Sequence, residues 1–322
     1  MIQIKNLSKH YGKFPAVDDI SFDVADGEIL GFLGPNGAGK TTTMKVITGY
    51  YPPTAGKITV EGIDVEEDSL ATRQLIGYLP ESNPLYHDLT VYEYLDLIAE
   101  LRQIPKEKRK ERIGQMTEIT SITDRLGQVI GQLSKGYRQR VGIAQAMLHD
   151  PKILILDEPT IGLDPNQIVE IRSMIKDIGQ HKTVILSTHI LPEVQATCDR
   201  VVVIHEGKLK ADSTMEELQR RFSGQPVIDL EIHGEGAEDS EPFSRIHGIE
   251  SVERLNDPEP NVVLLKLVVT ADTDPRADIF RLCVEKNLTL LGMTREIRSL
   301  ENIFQQLTKL DAAETELEEA AA

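Results

Sequence analysis

Residues 34 to 41 have the composition and spacing of a loop that binds phosphate groups. The segment reads Gly-Pro-Asn-Gly-Ala-Gly-Lys-Thr, which fits the pattern of glycine, four residues, glycine, lysine, then serine or threonine. Its glycines let the backbone turn N–H groups inward, and a helix beginning near Lys40 adds its positive dipole end. The apolar run Ile29–Leu33 predicts a preceding strand. We therefore expect a phosphate cradle rather than a glycine-rich turn with an exposed lysine.

The side chains of this loop predict a site for a nucleotide with Mg²⁺. Lys40 would reach the β- and γ-phosphates, and the Thr41 hydroxyl would ligate the cation. The residues expected to line the nucleotide site here are Gly34, Pro35, Asn36, Gly37, Ala38, Gly39, Lys40, Thr41 and Thr42.

Two acidic residues follow a second apolar run and add a candidate catalytic group. Asp157 and Glu158 come directly after residues 153–156, which predict a buried strand. A strand that ends in a carboxylate places that charge at the carboxyl edge of the sheet, beside the phosphate loop. Asp157 would hold Mg²⁺ through water, as a Walker-B aspartate, and Glu158 would activate an attacking water as general base. The alternative is a pair of solvated acids at a turn before Pro159.

The elements around these residues predict an α/β fold. Alternating apolar and polar residues predict half-exposed antiparallel strands at 2–4, 20–24 and 57–62. Continuous apolar runs predict parallel strands covered on both faces at 152–156, 182–187 and 200–205. The stretch 90–132 is mostly helical in pattern. We expect a parallel central sheet flanked by helices, an antiparallel β subdomain, and a helical insertion at about 85–150.

The character of the chain changes near residue 220. Residues 222–226 have the composition of a linker, so we expect one domain at 1–220 and a small α+β domain at 226–310. The elements expected in the second domain are strands at 227–232, 249–255, 261–270 and 288–293 and helices at 241–246, 275–286 and 299–310. An acidic, alanine-rich tail at 311–322 is predicted to be frayed or disordered.

Composition limits the partners of this chain. A formal charge of -17 and a pI near 5.0 disfavour non-specific binding to nucleic acid or to anionic membranes. No apolar run approaches the length of a membrane span, and the first residues lack the pattern of a signal peptide. The two cysteines show no metal or redox spacing. We expect a cytosolic protein, with any membrane role exerted through a partner.

Residues 133–137, Leu-Ser-Lys-Gly-Tyr, resemble the Leu-Ser-Gly-Gly-Gln signature of the ATP-binding subunits of ABC transporters. Lys135 replaces the first glycine, and Tyr137 replaces the glutamine. Ser134 can cap the helix predicted at 135–149 and form an anion site with its N-terminus. The resemblance implies the P-loop NTPase fold of the ABC ATPases. It also implies that Ser134 and Gly136 contact ATP bound by a second copy, so that two ATP molecules lie in a head-to-tail dimer.

Other positions match the same family. Tyr11 resembles the aromatic residue that stacks on adenine, although it could be an ordinary core or surface tyrosine. His189 resembles the switch histidine that contacts the γ-phosphate, and residues 161–164 resemble the loop at the dimer seam. Residues 77–81 resemble the family's Q-loop, in which Glu81 occupies the position where glutamine is usual. A carboxylate there can still ligate Mg²⁺, the alternative being a silent surface acid.

The resemblance also suggests a membrane partner. Residues 83–87 are expected to expose apolar side chains in the region that meets the permease in this family; packing against the helical insertion is the alternative. The chain is most similar to the ABC-2-type exporter branch, which includes the gliding-motility-associated ATP-binding protein. The resemblance thus implies an ATPase subunit, peripheral on the inner face of the cell membrane, that drives export through a multispanning permease, with Lys40, Glu158 and His189 catalytic.

Two other readings remain open at this point. The chain could be a soluble ABC ATPase that acts outside transport, although a single cassette without sustained heptads disfavours the translation and repair types. Alternatively, the C-terminal domain could sense a small ligand and use the cassette as a switch.

Overall fold

The computed structural model describes residues 1–222, 226–255, 262–270 and 273–296. The chain divides into two compact units, Met1–Met215 and Glu216–Ala322. The strands of the first unit are β1 (Ile2–Tyr11), β2 (Phe14–Val24), β3 (Ile29–Leu33), β4 (Ala55–Val60), β5 (Ile63–Asp64), β6 (Ile76–Leu79), β7 (Ile153–Asp157), β8 (Thr183–Thr188), β9 (Arg200–His205) and β10 (Lys208–Thr214). Its helices are α1 (Lys40–Ile47), α2 (Ser69–Leu75), α3 (Val91–Leu101), α4 (Lys106–Ile119), α5 (Lys135–Met147), α6 (Pro165–Gly179) and α7 (Leu191–Thr197), with short 3₁₀ turns at Thr123–Arg125 and Ile130–Gln132.

The central sheet confirms the predicted parallel arrangement. Within the described residues it contains six strands in the order β10-β9-β3-β8-β7-β6, and only the pair of β9 and β10 is antiparallel. Leu33 at the end of β3 pairs with Thr188 at the end of β8, and Asp157 at the end of β7 pairs with Ser187. This register brings three strand ends, and the loops that follow them, to one edge.

The predicted antiparallel β subdomain is also present, with the order β2-β1-β4-β5. Its inner face and one face of the central sheet share a hydrophobic core that encloses α1. The rings of Phe22 and Phe32 lie 5.4 Å apart in this core, and Met44 and Ile47 of α1 are fully buried. Burying one such side chain is worth about 1.5–3 kcal/mol, so this core fixes the start of α1 firmly against β3.

The helical insertion packs α3, α4 and α5 against the other face of the central sheet, in a core that includes α6. Helix α3 begins with a capping box, in which Thr90 and Glu93 satisfy each other's backbone N–H groups. Arg140 of α5 connects the end of α4 to α6. It donates to the Thr120 carbonyl over 3.0 Å and forms an ion pair with Glu170 of α6.

Residues 77–81 differ from the prediction of a loop. Their first part lies in β6, at the edge of the central sheet. Gly77 is required there because a Cβ atom would lie 2.2 Å from the carbonyl oxygen of Ala146 in α5. The glycine marks the close approach of a helix to a strand rather than a turn.

The second unit begins within α8 (Met215–Phe222), whose residues from Glu216 onward belong to it. Its other elements are β11 (Val227–His233), α9 (Glu241–Ser244), β12 (Ile249–Arg254), β13 (Val262–Val269), α10 (Arg276–Glu285) and β14 (Thr289–Glu296). In the described residues the sheet order is β12-β13-β11-β14, with every neighbouring pair antiparallel, as in split β-α-β folds. The elements predicted from 227 to 293 are confirmed; the helix at 299–310 and the tail at 311–322 lie outside the described residues.

Candidate nucleotide site

The phosphate loop connects β3 to α1, as the sequence predicts. Gly37 and Gly39 have φ angles of 81° and 105°, a region that L-residues with a side chain rarely adopt. A Cβ atom on Gly39 would also lie 2.5 Å from the carbonyl oxygen of Ala16. The loop is closed at its base by a 3.2 Å hydrogen bond from the Gly34 N–H to the Thr188 carbonyl. The glycines are therefore needed both for the turn and for the close packing of the loop.

Lys40 begins α1 and is buried, with 6% of its surface exposed. Its Nζ donates to the carbonyl oxygens of Gly34 and Pro35 over 2.8 and 3.1 Å. The same ammonium lies 3.1 Å from Oε1 of Glu158 and forms an ion pair with it. Two backbone carbonyl groups of the loop and the Glu158 carboxylate thus hold the lysine ammonium in place.

Glu158 lies between Lys40 and His189. Its backbone has a positive φ of 50°, and its N–H donates to the carbonyl and hydroxyl oxygens of Ser187, so β8 fixes its direction. The residue is 4% exposed. Oε2 lies 2.9 Å from Nδ1 of His189, while Oε1 faces Lys40. A carboxylate held between a lysine and a histidine at the end of a strand is placed to accept a proton from a molecule bound in front of it.

Asp157 is fully buried, and one of its oxygens lacks a partner. Oδ1 accepts a hydrogen bond from the Ser187 hydroxyl. Oδ2 is buried and has no hydrogen-bond partner within the described part of the chain. Burial raises the pKa of Asp157, and the hydrogen bond from Ser187 lowers it in part. Burial, together with the charge of Asp157, also raises the pKa of Tyr78.

A cavity of about 370 Å³ joins most of the predicted nucleotide residues. It is lined by Tyr11, Phe14, Ala16, Asn36, Gly37, Gly39, Lys40, Thr41, Thr42, Glu81, Glu158 and Ile161. Gly34 and Pro35 contribute carbonyl oxygens behind Lys40, and Ala38 is buried under the loop. The cavity therefore brings the phosphate loop, Glu81 and Glu158 together with Tyr11.

Phe14 is a lining residue that the sequence did not suggest. It pairs with Tyr11 across the turn between β1 and β2, and both rings are exposed, by 63% and 44%. Tyr11 also packs against Tyr51, with the two ring centroids 5.9 Å apart in an edge-on contact. The Lys9 ammonium lies over both rings. Two exposed rings at the mouth of the cavity form a surface on which a flat base could stack.

The structure does not bring Ser134 and Gly136 to this cavity. Ser134 caps α5, where its hydroxyl accepts from the Tyr137 N–H at 3.4 Å, as predicted. Gly136 lines a separate polar groove of about 710 Å³. Lys135 extends from the helix start and packs on Gly162, where a Cβ atom would lie 2.2 Å from its Nζ. Ser134 and Gly136 therefore do not line the cavity of the phosphate loop, although Lys135 lines a neighbouring cavity together with Thr41.

The predicted apolar patch at 83–87 is divided. Leu85 is buried in the core of the helical insertion, so its expected exposure is wrong, whereas Tyr86 is exposed and meets Tyr94 edge-on. Asn83 donates to the Arg138 carbonyl of α5 over 2.9 Å. Gly142 makes this approach possible, since a Cβ atom there would lie 2.6 Å from the Asn83 side chain. In the described residues we find no helix long and apolar enough to cross a membrane.

Comparison with known proteins places this site in a family. Residues 17–161 match the model of the ABC transporter family. The chain is 33% identical over 313 residues to the linearmycin resistance ATP-binding protein LnrL of Bacillus subtilis, covering 96% of this chain and 98% of that protein. It is also 33% identical over 309 residues to the bacitracin transport ATP-binding protein BcrA of Bacillus licheniformis, covering 95% and 97%.

Solved structures agree with these relatives. The dimeric structure of MJ0796, a bacterial ABC transporter cassette, is 26% identical and covers 67% of this chain and 99% of that chain, with a TM-score of 0.62. The same cassette, in a post-hydrolysis state bound to ADP and Pi, gives a TM-score of 0.61 at 25% identity, with the same coverage. The predicted fold and ATPase activity are confirmed, and this chain belongs to the family of ABC transporter ATP-binding proteins.

Proposed function

We propose that this ABC ATPase closes as a head-to-tail dimer on two ATP molecules, with Mg²⁺, and drives export through a membrane permease. The observation that carries the catalytic part is the position of Glu158. Its buried carboxylate lies 3.1 Å from Lys40 and 2.9 Å from His189, at the cavity formed by the phosphate loop. A general base needs this combination of a fixed direction, a nearby proton acceptor or donor, and access to the substrate.

The residues beside Glu158 fit a divalent cation. The unpartnered Oδ2 of Asp157 and the Thr41 hydroxyl are oxygen donors of the kind Mg²⁺ prefers, and Glu81 lines the same cavity. The described residues hold no group of three or more His, Cys, Asp or Glu side chains arranged for a metal ion. Mg²⁺ would therefore be shared with the ATP phosphates, where it neutralises their charge.

The proposed mechanism follows from competition for Lys40. Phosphate oxygens that bind the Lys40 ammonium would compete with Glu158 for it. Binding of ATP would therefore break the ion pair and leave Oε1 of Glu158 without this partner. His189 still holds the other oxygen, which keeps the freed one directed towards the cavity. Glu158 then takes a proton from the attacking water while His189 contacts the γ-phosphate.

The dimer is supported by the position of Ser134 and Gly136. Ser134 and Gly136 lie outside the cavity that contains the phosphate loop, so an anion at the start of α5 would be ATP held by another copy. MJ0796 is described as dimeric, which agrees with this arrangement. The residues we assign to nucleotide binding are Tyr11, Gly34, Pro35, Asn36, Gly37, Ala38, Gly39, Lys40, Thr41, Thr42, Ser134 and Gly136.

Export and a membrane partner are supported by the relatives. LnrL is described as a linearmycin resistance protein and BcrA as a bacitracin transport protein, and both match nearly the whole chain. The exposed Tyr86 marks the surface we assign to the permease. In this proposal the protein is cytoplasmic and peripheral on the membrane, it needs no nucleic acid, residues 1–220 form the ATPase domain, and 226–310 form an accessory domain.

The test is to replace Glu158 by Gln in the full-length chain and measure phosphate release and dimer formation. Losing a general base should slow turnover by about 10²- to 10⁴-fold. ATP binding should remain, and size-exclusion chromatography with ATP and Mg²⁺ should show an accumulated dimer. Glu28→Gln is a matched control, because Glu28 pairs with Arg200 over 3.1 Å and neither residue lines the cavity. A Glu158→Gln protein with wild-type turnover would refute the assignment of the base.

A further inference from the structure

A buried carboxylate lies behind the catalytic residues and has no place in the mechanism so far. Glu193 in α7 is only 2% exposed. Within the described residues, no lysine, arginine or histidine lies close enough to form an ion pair with it. A buried carboxylate without a cation costs free energy unless hydrogen bonds satisfy it. Its partners therefore indicate why an acid occurs at this position.

Both oxygens of Glu193 accept hydrogen bonds from threonine hydroxyls. Thr160 donates to Oε1 over 2.5 Å, and Thr188 donates to Oε2 over 2.8 Å. Both threonines are buried. Thr188 also accepts from the Ile190 N–H at 3.1 Å, so its hydroxyl is used as donor and acceptor. Glu193 thus connects the segments around Thr160 and Thr188, which are 28 residues apart in the sequence.

The two segments are the ones that carry the catalytic pair. Thr160 lies two residues after Glu158, in a turn closed by the Ile161 N–H donating to the Glu158 carbonyl over 3.2 Å. Thr188 directly precedes His189. One carboxylate therefore holds the segment after Glu158 and the segment before His189 in a fixed relation.

We propose that Glu193 is a positioning residue that keeps Glu158 and His189 in register for hydrolysis. This inference rests on the proposed function, since it presumes that this pair acts on ATP. The acid is chosen for its two equivalent acceptors: a carboxylate accepts from both hydroxyls at once, whereas an amide accepts on one oxygen only. Errors of about 1 Å in such an arrangement can cost about 10²-fold in rate.

The test uses Glu193→Gln in the full-length chain, because glutamine keeps the volume and removes one acceptor. Turnover should fall at least about tenfold, while the affinity for a fluorescent ATP analogue stays within about twofold of wild type. Thr160→Val, which removes one donor with little change in shape, should give a similar loss and serves if the first variant folds poorly. Gln195→Ala, on the exposed side of α7, is the control and should retain wild-type turnover.

A double variant distinguishes positioning from a general loss of structure. Keeping Glu158 and His189 in register has no effect once the His189 ring is removed, so Glu193→Gln combined with His189→Ala should be no slower than the slower single variant. Losses that multiply, or a Glu193→Gln protein with turnover within about twofold of wild type, would overturn the inference. Glu158→Gln is measured in parallel. If it also keeps its turnover, the proposed function fails; if only the Glu193 variant does, the function stands and this inference alone fails.

Discussion

The ion pair between Lys40 and Glu158 leads to a thermodynamic prediction that needs no turnover measurement. In the proposed mechanism ATP competes with Glu158 for the Lys40 ammonium, so the wild-type protein would lose this attraction when it binds ATP. Glu158→Gln removes the charge beforehand. We expect the variant to be less stable than wild type without nucleotide, to bind ATP more tightly, and to recover its stability when ATP saturates it.

The distance between the two charges sets the size of the effect. For unit charges 3.1 Å apart, an effective dielectric constant of about 20 gives a gross attraction of about 5 kcal/mol. The ammonium keeps two carbonyl partners after the substitution, so the net loss of stability should be about 1–3 kcal/mol. The same free energy no longer opposes binding, which corresponds to about 5- to 150-fold tighter ATP binding.

The assay compares urea unfolding with and without saturating ATP, with Mg²⁺ omitted so that hydrolysis does not consume the ligand. The control is Glu28→Gln, since its partner Arg200 lies at the same 3.1 Å distance but takes no part in nucleotide binding. That variant should lose stability equally with and without ATP. If Glu158→Gln matched wild type without nucleotide, or if ATP left its deficit unchanged, Lys40 would not exchange Glu158 for phosphate.

Three further predictions follow from single residues. Phe14→Ala should weaken ATP binding by about 5- to 100-fold if its ring stacks on the base, as measured with a fluorescent ATP analogue, whereas Phe280→Ala in the second unit should not. Gly162→Ala should lower the unfolding temperature, because a φ of 69° costs a residue with a side chain about 1–2 kcal/mol. The new Cβ would also lie 2.2 Å from the Lys135 Nζ, but this flexible side chain can move, so adding Lys135→Ala should restore little of the lost stability. Burial, with a smaller effect from Arg102, lowers the pKa of His149 to about 4. The unfolded chain, with a pKa near 6.5, binds this proton first as the pH falls, so stability should decrease by about 1–2 kcal/mol between pH 7 and 5, and urea unfolding of His149→Gln should lack that component.

The phosphate loop and the parallel strands could be predicted because their signals are local. Glycines at required positions and continuous apolar runs are visible without knowing the partners of a segment. The same reasoning predicted the cap at Ser134, which depends on residues within one turn.

The parts that were missed depend on distant contacts. Residues 77–81 match a loop of the family, but the first of them lie in β6, where Gly77 allows α5 to approach closely. A glutamate such as Glu193 is usually exposed, so the sequence gives no sign that it is buried. Its burial depends on the packing of α7 against Thr160 and Thr188, which donate hydrogen bonds to it. Phe14 was overlooked because its exposure follows from the register of a hairpin, which the sequence does not show.

The contact between Asn83 and α5 has a mechanical consequence. The stretch that carries Glu81 continues from β6 at one end, and at the other end Asn83 donates to the Arg138 carbonyl. Within the described residues, β6 pairs only with β7. With no room for even a methyl group at Gly142, this linkage has little slack. We therefore expect a displacement of α5 to move Glu81 at the rim of the cavity. A methyl group at Gly142 would separate Asn83 from α5 and so remove this coupling.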